Sequence, residues 1–119
     1  MTLPVTYVEI HSPELQETQR FLAATFGWQP QAFVTSDYLV APHGDGAGVD
    51  TGLTASRDGQ PRCVPVINVA SLDSAVDAVQ ANGGTQVVEP YEIPGVGRAC
   101  YVVDPAGVLI GLHEHDPST

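Results

Sequence analysis

Lysine is absent from the 119 residues, and only four arginines stand against fourteen acidic residues, for a formal charge of −10. Nucleic-acid binding works by neutralising phosphates with basic side chains, so DNA and RNA are excluded as expected partners. The same field repels anionic metabolites and favours a neutral or cationic ligand. No apolar run approaches the roughly 18–20 residues of a membrane span, and the start of the chain lacks a basic-then-apolar signal pattern. The expectation is a cytoplasmic protein with no membrane partner. Cysteine is scarce too. Cys63 and Cys100 lie far apart with no Cys-x-x-Cys spacing, which argues for two buried thiols acting as small hydrophobes rather than for metal or redox work.

What is present describes a globular chain. The hydrophobic fraction of 43% and charged fraction of 15% exclude disorder, and the length suits a single domain, 1–119. Tyr7-Val8-Glu9-Ile10-His11 alternates as a half-buried strand does. Ser12 and Pro13 then offer a cap and a first helical residue, followed by Leu15, Thr18, Phe21, Leu22 and Phe26 as an apolar stripe and Gly27 as a stop. Extended segments are predicted at Gln31–Thr35, Asp37–Ala41 and Val49–Ala55, with a glycine-rich loop at 42–48 that carries His43. That loop is no phosphate cradle, since it has neither the lysine nor the following helix that such a cradle needs.

The second half repeats this order. A strand at Val64–Val69 precedes a helix capped by Ser71 and striped by Leu72, Ala75, Val76 and Val79; Asn82-Gly83-Gly84 ends it. Strands follow near Thr85–Val88, Ala99–Val103 and Val108–His113, the last two joined by the turn Asp104-Pro105-Ala106-Gly107. A shift of 57 residues lays Leu15 on Leu72, Ala24 on Ala81, Gly27 on Gly84 and Gln29 on Gln86, and a shift of 59 lays Gly52-Leu53 on Gly111-Leu112. The organisation is a strand–helix–three-strand repeat: module one 1–56, a turn-rich linker 57–62, and module two 63–119.

Several segments carry a family resemblance: Tyr-Val-Glu-Ile-His-Ser-Pro-Glu-Leu (7–15), Phe-Gly-Trp (26–28), Ala-Asn-Gly-Gly (81–84), Ile-Pro-Gly-Val-Gly (93–97) and Asp-Pro-Ala-Gly-Val-Leu-Ile-Gly-Leu-His-Glu (104–114). In this order and spacing they resemble the vicinal oxygen chelate superfamily of glyoxalases, bleomycin-resistance proteins and extradiol dioxygenases. The resemblance implies an α+β fold of two βαβββ modules. Their mixed sheets would curl into a ligand-lined cup with the helices outside, commonly in a homodimer. It also implies metal-ligand positions on the first and last strand of each module, and these fall on Tyr7, Gly52, Val64 and Gly111. Glycine and valine have no side-chain donor, and one tyrosine cannot hold a divalent ion. The expectation is therefore no metal and no cofactor.

Alternation predicts which side chains face a ligand. With Val8, Ile10, Leu53, Ile67, Val69, Ile110 and Leu112 beneath the helices, the opposite face carries Tyr7, Glu9, Asp50, Thr54, Val64, Val66, Asn68 and His113. On the first strand His11 points the same way as Glu9. A carboxylate there is costly unless it is paired, so Glu9 should meet His113, carry a raised pKa, or await a cation. The leading expectation is a metal-independent small-molecule binder resembling the bleomycin-resistance branch. The alternative is a lyase- or isomerase-type enzyme, using Glu9 and His113 as acid and base or a relocated metal at His113 and His115. Trp28 reads as core or dimer interface, and Arg98 either as a counter-charge to an acid or a ligand carboxylate or as a surface residue.

Overall fold

The computed structural model describes residues 2–33, 35–44 and 46–115. They divide into two compact units: Tyr7–Val64, and the residues up to Thr6 together with the chain from Pro65 onward. The predicted linker, 57–62, ends inside a strand that begins at Arg62, whose guanidinium grips Asp58 through two bonds of 2.8 and 2.7 Å.

Module one comprises β1 (Val5–Ser12), α1 (Leu15–Phe26), β2 (Gln31–Phe33), β3 (Thr35–Ala41) and β4 (Thr51–Ala55). Its strands lie in the order β2-β3-β4-β1, with β1 and β4 parallel and the other pairs antiparallel. Module two repeats the plan with β5 (Arg62–Val69), α2 (Leu72–Ala81), β6 (Thr85–Ile93), β7 (Gly97–Val103) and β8 (Leu109–His115). Here the order is β6-β7-β8-β5, and β5 and β8 are the parallel pair. The α+β class and the doubled βαβββ order are as the sequence predicts.

Local chemistry explains most element boundaries and two departures. Ser71 caps α2 through its side chain, which accepts the Ser74 N–H at 3.2 Å. Ser12 does not cap α1. Its backbone is still in the sheet, aligned with Ala55 and accepting the Ser56 N–H at 2.8 Å. The helix therefore starts at Leu15, and the Ser12 hydroxyl accepts from Glu14 N at 2.9 Å and bonds Thr18 Oγ1 at 2.7 Å. Gly27 ends α1 in the left-handed region, its N–H on the Ala23 carbonyl. The second departure is β6, which runs past Val88 through Pro90 to Ile93. As the last strand in its module's order, it leaves one side of its backbone without a ladder for proline to break.

Each helix packs on one face of its own sheet. Leu22 of α1 covers Leu39, Ala41 and Leu53, with the partly buried Ile10, Leu15 and Trp28 packed against this cluster. Leu72 and Val76 of α2 cover Val69, Cys100, Val102 and Leu112, with Ile67 and Ile110 alongside. The predicted α1 stripe is too wide. Phe21 and Phe26 are exposed and meet each other edge-to-face at 6.1 Å, because Phe21 lies about 100° around the helix from Leu22 and Phe26 is the last helical residue. The two cysteines also part company. Cys100 is buried, and its burial pushes the thiol pKa up. Cys63 is exposed, since the β5 residues packed beneath α2 begin only at Ile67.

Candidate functional site

With Ile10, Leu39, Ala41 and Leu53 committed to α1, alternation turns Tyr7, Glu9 and His11 of β1, Tyr38 and Val40 of β3, and Gly52 and Thr54 of β4 to the other face. Strand register sets them in rows: Glu9, Gly52 and Val40 in one, His11, Thr54 and Tyr38 in the next. Glu9 and His11 are among the least exposed polar residues, at 6% and 3%.

A buried carboxylate is stable only when donors meet it. Each Glu9 oxygen has one. His11 Nε2 lies 2.9 Å from Oε1, and the Tyr38 hydroxyl donates to Oε2 at 2.6 Å. Tyr7 extends the chain, its hydroxyl 2.8 Å from that of Tyr38. Burial first, and then the charge and hydrogen bond of Glu9, push the Tyr38 pKa far above the ordinary phenol range. These effects favour the protonated phenol, the form that donates to Glu9. Gly52 makes the arrangement possible, because a β-carbon there would fall on the phenol oxygens of both Tyr38 and Tyr7.

The remaining predicted positions are placed as follows. Thr54 shares this face and directs Oγ1 toward the Asp37 carbonyl at 3.4 Å. Asp50 sits just before β4 with its side chain about half exposed, and Oδ1 accepts the His43 N–H at 3.0 Å, fastening the glycine-rich loop. In module two, Val64 and Val66 are buried, and Asn68 aligns with His113, which aligns in turn with Ala99. His113 Nε2 is buried with no hydrogen-bond partner among the described residues. Burial, and then the neighbouring His115, lower the His113 pKa, against a smaller opposing pull from Glu114. Glu9 and His113 belong to different compact units, and within its own module Glu9 is served by His11 and Tyr38. Arg98 counters acids, reaching Asp73 at 3.3 Å and Glu114 at 3.4 Å. Tyr38 is absent from the predicted wall, whereas His11 lies on the face of Glu9 as the alternation predicts.

No protein-family model matches the chain. Two proteins provisionally named glyoxylase CFP32, from Mycobacterium bovis and Mycobacterium tuberculosis, are each 25% identical to it over 121 residues. The match takes in 89% of this chain and 43% of theirs, so the chain spans less than half the length of these curated relatives. Methylmalonyl-CoA epimerase from Mycobacterium tuberculosis superposes with a TM-score of 0.67 at 18% identity, over 99% of this chain and 94% of that one. The Mn(II)-bound glyoxalase from Novosphingobium aromaticivorans gives 0.60 at 22% identity, over 95% of this chain and 40% of that one. The chain has the vicinal oxygen chelate fold. A shared fold at this identity does not carry a shared reaction.

The metal that this fold implies does not fit the residues present. Of the vicinal oxygen chelate positions carried over from the sequence, Gly52, Val64 and Gly111 have no donor atom, and the hydroxyl of Tyr7 is engaged with Tyr38. The space beside Gly52 is already filled by phenol oxygens. Among the described residues no group of three His, Cys, Asp or Glu side chains could hold an ion. His113 and His115, edge-on at 6.0 Å between ring centres, are two donors without a third.

Proposed function

We propose that this chain binds a small organic molecule, neutral or cationic, without a metal, in the drug-sequestering manner that resembles bleomycin-resistance proteins. The observation that carries this reading is the occupation of the Gly52 space by Tyr7 and Tyr38, joined through Glu9 to His11. It leaves module one with a polar, fully protein-made anchor where the fold's relatives would coordinate an ion. Small-molecule sites combine apolar walls with a few such fixed polar groups. In module one the proposed contact residues are Tyr7, Glu9, Tyr38 and Thr54; in module two, taken by itself, the candidates are Val64, Val66, Asn68 and His113. The proposed assembly is a cytoplasmic homodimer.

The rival reading is a lyase or isomerase, and the names of the epimerase and glyoxalase neighbours keep it in view. Two features favour binding over proton transfer. Glu9 already receives two donors, and Tyr38 holds its proton far above neutral pH. Metal analysis of the purified chain, followed by a thermal-shift screen of cationic drugs and small metabolites with and without chelator, tests the proposal. The expected result is no stoichiometric Zn, Ni, Mn or Fe and ligand-induced shifts that chelator leaves intact. A stoichiometric ion at His113 and His115, or shifts that chelator abolishes, would overturn it.

A further inference from the structure

The repeat pairs α1 with α2, and the solvent sides of the two helices are unlike. In α2 the side turned away from Leu72 and Val76 shows Asp73, Asp77 and Ala78, as a solvated surface helix does. The shift of 57 residues sets Arg20 where α2 has Asp77, and Phe21 where α2 has Ala78. Glu17, Arg20, Phe21 and Ala24 lie on the side of α1 turned away from Leu22, and all four are exposed. Phe21 and Phe26, at 59% and 63%, are the most exposed large apolar side chains among the described residues. Their rings meet each other, so they form one patch rather than two scattered contacts with water.

Charge points to what covers the patch. The chain has fourteen acids, yet none falls between Glu17 and Asp37. Arg62 and Arg98 hold acids of their own chain, whereas neither Arg20 nor Glu17 has an ion pair among the described residues. A helix face that shows an acid and, one turn on, a base is complementary to an antiparallel copy of itself. Across a two-fold axis each Glu17 reaches the partner's Arg20, and the contact is made twice around a centre of phenyl rings. Two bodies of charge −10 repel one another elsewhere, and on this face the local charges cancel. The outer strands offer no rival route. β2 is three residues long, and β6 carries Pro90 and two register shifts, features that discourage edge-to-edge pairing. We infer that the chain meets a second copy of itself through this face of α1, with Phe21 at the centre and the Glu17–Arg20 contacts beside it. The inference rests on the homodimer proposed above and names its surface.

Sedimentation velocity of the full chain over a concentration series at low salt tests it. The unmodified chain should dimerise. Phe21→Ser should weaken the dimer about a hundredfold or more, since a central ring is lost from both copies. Glu17→Arg and Arg20→Glu, each alone, set like charges across the axis and should each weaken it about fivefold or more. Mixed in equal amounts, those two charge variants should regain the parent's affinity as a heterodimer, because one copy then brings two bases and the other two acids. Recovery on mixing also excludes misfolding as the cause of the separate losses. A dimer that Phe21→Ser and both charge variants leave as tight as the parent's would overturn this surface and leave the homodimer standing. A mixture as weak as its components would overturn the two-fold contact. A parent chain that stays monomeric throughout would overturn the homodimer, and this surface with it.

Discussion

The two modules share a skeleton and differ on one face of it. Beneath their helices they are near copies: Leu53 matches Leu112 and Ile10 matches Ile67, each packed under its own helix. On the opposite face the matched rows diverge. Glu9 beside Gly52 corresponds to Val66 beside Gly111, and His11 beside Thr54 corresponds to Asn68 beside His113. Module one holds a chain of donors and acceptors there; module two holds buried valines, Tyr101, and an imidazole nitrogen with no hydrogen-bond partner among the described residues. The helix side is constrained by packing, which both copies need alike. The other side is free to specialise, and module one carries the Tyr7, Tyr38, Glu9 and His11 network on it.

That comparison can be broken or sharpened by exchange. The largest effect is expected beneath the helices, where Leu53→Ala and Leu112→Ala should each cost about 2–5 kcal/mol in chemical denaturation. Similar losses would confirm equivalent cores, and a loss confined to one module would break the symmetry. Glu9→Val installs the module-two residue in module one and removes the carboxylate that Tyr38 and His11 meet, for an expected loss of about 2–4 kcal/mol. A neutral result would show that the network contributes nothing to stability. Gly52→Ala must displace two phenol oxygens and should cost about 1–3 kcal/mol with altered tyrosine ring signals. Gly111→Ala meets only a Val66 methyl at 3.0 Å and should cost less than about 1 kcal/mol.

The smallest effect is a pH dependence. His113 has a lowered pKa in the folded chain, so the unfolded chain binds more protons below its ordinary pKa of about 6.5. The stabilising contribution of the neutral ring is complete above that value and is lost as pH falls toward the folded pKa. His113→Thr, which installs the residue matched in module one, should flatten the fall in urea midpoint between about pH 7.5 and pH 5. Parallel curves for variant and parent would mean that the ring is not desolvated.

Much of this fold is legible in the sequence, because glycine stops, apolar stripes and the turn at Asp104 act locally. Gly107 N–H closes that turn on the Asp104 carbonyl at 2.9 Å, as proline and glycine at 105 and 107 predict. The start of α1 was misplaced because Ser12 belongs to the sheet, and sheet pairing is a long-range fact. The site was half legible. Tyr7 and Glu9 follow from strict alternation on β1. Tyr38 was missed because its strand reads Tyr38-Leu39-Val40-Ala41, apolar at every position, so no alternation reveals its face. Only the pairing of Leu39 with Leu53, both under α1, settles that the phenol turns the other way. The pairing of Glu9 with His11, two residues on, was available from the same alternation that placed Glu9.

The missing side chain at position 52 also works as a ratchet. A donor residue placed there would meet two phenols before it met any ion, and removing Tyr38 alone would strip a buried carboxylate of a 2.6 Å donor. Each single substitution toward coordination chemistry is therefore uphill, and a metal site there would need several residues changed at once.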